Sequence, residues 1–125
     1  MKKTTLAFSL LSSLYCSFAS AASMQDLTGN YEIYTSFMGV DFQGNFNVES
    51  DGKIQIMASS SYIYLNCTGT SKLINNILVS TPVCENGMAL SFNLNLQNVS
   101  DYSNFQAPVY NNILNIELPM QFKRL

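Results

Sequence analysis

The chain has no histidine, no tryptophan, only 3 prolines and only 6 basic residues in 125. Each scarcity excludes something. Without imidazole, a serine nucleophile would need a lysine or carboxylate to activate it, and no serine stands in a recognisable motif with either. Paired-carboxylate chemistry needs two acids on rigid elements. Glu49 and Asp51 sit at a turn instead, and Asp26, Glu32 and Asp41 do not space like a calcium loop. Two or three cysteines with no histidine make a poor zinc site. The sequence therefore predicts a protein that is not an enzyme and that carries no cofactor and no metal.

Basic residues are scarcest after the first few positions. Lys2 and Lys3 precede an apolar stretch from Leu6 to Phe18, which Ala19-Ser20-Ala21 closes as a small-x-small site. That is the three-part plan of a Sec signal peptide, of bacterial type, over residues 1–21. The stretch is about 13 residues long, short of the ~20 that a membrane-spanning helix needs, so no transmembrane helix is expected. The expected compartment is the periplasm or the extracellular space. Residues 22–125 then form a single domain. They hold four bases (Lys53, Lys72, Lys123, Arg124) against eight acids, a balance of −4. No basic patch is available to neutralise phosphates, which excludes nucleic acid as a partner.

Cys67 and Cys84 follow the leader, and an even count in an exported chain predicts a disulfide between them. What fills the rest is alternation. Met88, Leu90, Phe92, Leu94 and Leu96 interleave with small and polar residues. Leu114, Ile116, Leu118, Met120 and Phe122 do the same, as do Phe42, Phe46 and Val48, and Tyr31, Ile33, Thr35 and Phe37. A period of two with one wet face belongs to antiparallel sheet. Only Ala22 to Leu27 looks helical.

Turn chemistry sets the register. Ser50-Asp51-Gly52 fits a three-residue hairpin loop, which pairs Val48 with Ile54 and Phe46 with Ile56. Asn75-Asn76 fits a two-residue turn of positive φ, and that register places Cys67 directly opposite Cys84. Glu85-Asn86-Gly87 reads as another three-residue loop. Strands are expected near 30–38, 41–49, 53–59, 61–73, 77–84, 88–99 and 113–123. Pro82 marks an edge or a bulge, since it cannot donate to a ladder. The predicted fold is all-β, a small antiparallel meander of 7–8 strands that closes as a barrel or a curled sandwich.

Two features stand out as candidate sites. The break from Ser100 to Asn112 carries Tyr102, Phe105, Pro108 and Tyr110, a candidate binding loop or a lid folded over the barrel end. Tyr62 and Tyr64 share one strand face as a candidate aromatic strip, or as ordinary cross-strand packing. The asparagines of the wet faces (Asn45, Asn47, Asn93, Asn95, Asn115) read as solvated positions.

Three classes of function follow. The first is an exported, non-enzymatic binding protein that acts through protein–protein contact on another protein or an envelope component, inhibitor-like, with a loop inserted into a partner's cleft. The second is a carrier of a small apolar ligand or lipid in a barrel lined by Phe42, Phe46, Phe92, Leu94 and Ile116. The third is an outer-membrane barrel component, a tight fit for a chain of this length.

Overall fold

The computed structural model describes residues 22–125. The expected signal peptide, with Cys16, lies outside the described residues. The chain enters through Ser23, which caps a single turn of helix, α1 (Met24–Leu27). The Ser23 hydroxyl accepts from the Asp26 amide, and the Asp26 carboxylate accepts from the Ser23 amide. This reciprocal box satisfies two donors that a helix start otherwise leaves open. It lets four residues hold Leu27 in the core.

Nine strands follow: β1 (Gly29–Phe37), β2 (Val40–Val48), β3 (Lys53–Ser59), β4 (Tyr64–Ile74), β5 (Ile77–Ser80), β6 (Val83–Cys84), β7 (Phe92–Asn95), β8 (Asn104–Asn111) and β9 (Ile116–Arg124). All pairings are antiparallel. The sheet runs β3-β2-β1-β9-β8-β7-β5-β4-β6, and a further β3–β4 pairing closes it. The result is an eight-stranded barrel with β6 as a ninth strand laid on β4.

The alternation turns one set of side chains inward on every strand. Tyr31, Ile33, Phe46, Val48, Ile54, Ile56, Leu78, Leu94, Leu96, Ala107 and Phe122 form the buried core. The alternate positions, such as Glu32, Gln43, Asn47, Asn93, Gln106 and Gln121, face outward. Closure removes the exposed edges that an open sheet of this length would present.

The predicted registers hold. Val48 pairs with Ile54 and Phe46 with Ile56 across a loop whose Gly52 has φ of 96°. Asn75 and Asn76 both take positive φ, 51° and 64°, as a type I′ turn requires. Ser71 pairs with Ser80, and further along the same register Cys67 pairs with Cys84, joined by a disulfide. Between those two pairings the strand breaks at Thr81-Pro82. Pro82 is fully buried and lies against Gly69 of β4, where an added Cβ would come within 2.6 Å of the Pro82 Cα. The glycine opposite the proline is what lets the two backbones approach.

Several boundaries differ from expectation. The strand expected at 88–99 is confined to Phe92–Asn95, with an isolated bridge from Ala89 to Val83. Asn95 and Asn86 end the ladder by accepting the amides of Gln97 and Met88 on their own side chains. The last strand begins at Ile116 rather than 113. The Asn111 side chain accepts from the Ile113 and Leu114 amides and folds 112–115 into a tight turn. β4 begins at Tyr64 rather than 61. The expected loop 100–112 is largely β8, with Phe105 and Ala107 inside and Gln106 outside.

Candidate functional site

The two ends of the barrel are built differently. At one end lie α1, the 49–52 and 75–76 turns and the 96–103 segment. Tyr31 fills this end. Its ring meets Phe122 and Phe105 edge-on, and Phe105 stacks on Phe122 at 4.7 Å between centroids. Tyr102 packs edge-on against Phe105 from outside. Aromatic contacts of this kind contribute about 0.5–1.5 kcal/mol each beyond the area they bury. Arg124 spans the floor. Its guanidinium lies 5.2 Å from the Tyr31 ring centre, donates to the Tyr31 hydroxyl at 2.6 Å, and also donates to the Asp26 carbonyl. The Tyr31 hydroxyl in turn donates to the Leu27 carbonyl. This end is sealed.

The other end is open. Four connections surround it: Met38-Gly39, 60–63, 85–91 and 112–115. Between them the barrel encloses an apolar cup of about 220 Å³. Ile33, Phe46, Ile56 and Phe122 form its floor and are buried. Phe42, Ala58, Leu65, Leu90, Phe92, Val109, Leu118 and Met120 form its wall and are half-buried, so exposure rises from floor to mouth. A barrel of eight strands is just wide enough to be filled by its own side chains or to hold one small ligand. Ala58, a small residue on the wall, leaves space in this one. Its partner Gly44 lets β2 and β3 approach closely, since a Cβ on Gly44 would fall 1.8 Å from the Met57 carbonyl oxygen.

Two polar groups that border the cup are engaged. The Thr35 hydroxyl donates to the Pro119 carbonyl at 2.7 Å, and the Asn111 side-chain oxygen accepts within its own turn. Among the described residues no charged side chain lines the cup. What enters it meets mostly carbon. At the lip, the Tyr34 hydroxyl donates to Asp41 at 3.1 Å. That hydrogen bond and the carboxylate charge raise the Tyr34 pKa above the ordinary phenol value.

The sequence-predicted residues are distributed over both ends. Tyr102 and Phe105 belong to the sealed floor, where burial pushes the Tyr102 hydroxyl up in pKa. Pro108 stands in the outer wall opposite Pro119, and Tyr110 donates to Asn115 beside the mouth. The four do not form one surface. Tyr62 sits in the 60–63 turn and Tyr64 begins β4, so both rim the mouth rather than share a strand face, and both are exposed. Of the expected interior lining, Phe42, Phe46 and Phe92 line the cup. Leu94 is buried below it, and Ile116 is half-buried at the start of β9. Alternation does not mark the rim. Met38, Met88, Ile113 and Leu114 are all exposed there, and the one sequence signal for them is a large apolar residue in or beside a turn.

A second, shallow groove runs along the outer wall over β1, β2 and β9, past Glu32, Tyr34, Gln43, Asn45 and Gln121. It is open sheet surface with no enclosed polar group. The chain matches no protein-family model, no curated protein and no solved structure.

Proposed function

We propose that this is an exported, non-enzymatic binding protein, and that it works by taking an apolar group into the open end of its barrel. The single observation that carries this reading is the cup of about 220 Å³, walled by aliphatic and aromatic side chains whose exposure rises toward one mouth. The cup is somewhat larger than the ~150 Å³ apolar cavity that admits a benzene-sized guest. Its size suits a ring or a short alkyl chain rather than a whole lipid. The Cys67–Cys84 disulfide is compatible with an oxidising compartment, in keeping with the expected leader.

The outward face argues against a membrane barrel. Glu32, Gln43, Asn45, Asn47, Asn93 and Gln121 point away from the axis, and phenylalanines and leucines point in. A barrel that spans lipid carries its apolar band outside.

Titration with the apolar dye N-phenyl-1-naphthylamine tests the reading. Saturable fluorescence enhancement at one site is expected, and Ala58→Trp, which fills the cup from its wall, should abolish it. An enhancement that does not saturate, or one that survives in Ala58→Trp protein of native circular dichroism, would overturn the proposal.

A further inference from the structure

Seven of the large hydrophobic side chains that stand exposed among the described residues gather around the mouth. Met38 sits on the β1–β2 turn, Tyr62 and Ile63 on the β3–β4 turn with Tyr64 beside them, Met88 on the 85–91 segment, and Ile113 and Leu114 at the β8–β9 tip. Met38 and Tyr62 are 85% and 84% exposed, so neither stabilises the fold by burial. Scattered exposed apolar residues are ordinary, but a concentration of them marks a contact surface.

The cations are divided along the same axis. Lys53, Lys72, Lys123 and Arg124 all stand in the half of the barrel toward the sealed end, together with Asp26, Glu32, Glu49, Asp51 and Asp101. Asp41, Glu85 and Glu117 adjoin the mouth with no cation among them, so only there do the carboxylates stand uncompensated. We infer that the mouth is the docking surface for a polypeptide that carries an apolar side chain between lysines or arginines. The side chain enters the cup, and the cations meet Asp41, Glu85 and Glu117. This rests on the reading of the cup above and names its occupant.

Charge complementarity selects that occupant. An anionic bilayer would be repelled by the three carboxylates, and surfaces that settle on such lipids carry lysine and arginine instead. Two copies meeting mouth to mouth would set carboxylate against carboxylate. The rim composition also fits a protein contact. Tyrosine and methionine are enriched in interfaces and lysine is depleted there. Tyrosine supplies rigid area, and methionine adapts to irregular shapes.

Fluorescence anisotropy with two labelled dodecapeptides tests this, each with a central Phe-Leu pair, one flanked by Lys and Arg and the other by Glu. The cationic peptide should bind saturably, compete with N-phenyl-1-naphthylamine, and weaken as salt rises. The double variant Glu85→Lys/Glu117→Lys should bind it ~10-fold more weakly while leaving dye binding unchanged. Tyr62→Ser/Leu114→Ser should also bind it more weakly. Equal affinity for the two peptides would overturn the inference. So would preferential flotation with phosphatidylcholine vesicles, or self-association abolished by the rim substitutions. Dye binding without binding of either peptide would sink this inference alone and leave the cup reading standing. Loss of both would sink the two together.

Discussion

Arg124 lies against the ring of Tyr31 and donates to its hydroxyl at 2.6 Å, so the last residue of β9 and an inward residue of β1 close the barrel floor together. The same arginine reaches the Asp26 carbonyl, and the same tyrosine donates to the Leu27 carbonyl at 2.7 Å. One cation thereby ties α1, β1 and β9 into a plug.

Arg124→Ala should loosen that plug without opening the cup. It removes a charge-assisted hydrogen bond to a buried hydroxyl, worth about 2 kcal/mol. In a domain of this size the thermal midpoint should fall by roughly 10 °C. Calorimetry checks this, with unchanged dye affinity as the control.

Opening the Cys67–Cys84 disulfide should cost about 3 kcal/mol, the chain-entropy value for a loop of this length. Cys67→Ser/Cys84→Ser protein should show a lower urea midpoint with an intact β-sheet spectrum. Because β6 is held to β4 by only two residue pairs, hydrogen exchange should rise first in 81–91.

Gly44→Ala should be far more damaging than its size suggests. The added Cβ would stand 1.8 Å from the Met57 carbonyl oxygen, which is backbone and cannot rotate away. A loss of about 3 kcal/mol or failure to fold is expected. At Gly39 nothing lies within 4 Å, and Gly39→Ala meets only the cost of φ at +79°, about 1 kcal/mol. The two midpoints should differ accordingly.

The Asp101 carboxylate accepts from the Ser103 hydroxyl at 2.6 Å and from the Ser103 amide at 3.0 Å, which holds its pKa below the usual aspartate range. A folded pKa below the unfolded one stabilises the fold above the unfolded value. That contribution is lost as pH falls through the folded pKa, hence below pH ~4. Carboxyl NMR titration should place Asp101 low in the native protein. Ser103→Ala should move it back up.

Where turn chemistry and alternation agreed, the sequence was easily read. Asn75-Asn76 and Ser50-Asp51-Gly52 each admit one good register, and those registers carried the disulfide and the Phe46–Ile56 pair with them. β8 is not legible in the sequence because Pro108, with Asn104 at one end of the strand and Asn111-Asn112 at the other, has loop composition. In the barrel wall Pro108 faces Pro119 across β8 and β9, while Phe105, Ala107 and Val109 keep the period of two. Alternation also says only which side a residue faces, not how far along the axis it sits. Phe42, Phe46 and Phe92 were therefore recognisable as interior, but the division into sealed floor and open cup was not. The rim could not be seen either, because Met38, Tyr62, Met88 and Leu114 are far apart in the chain and meet at one end only through the up-and-down path of the strands.

Both ends of the described chain leave from the sealed side. The Ala22 amide donates to the Asn76 side chain, and the Leu125 amide donates to the Asn30 carbonyl, each beside the floor that Tyr31 and Arg124 close. A tether at either terminus, whether a fused domain, a resin or a leader still attached, would hold the molecule by its base and present the cup to solvent.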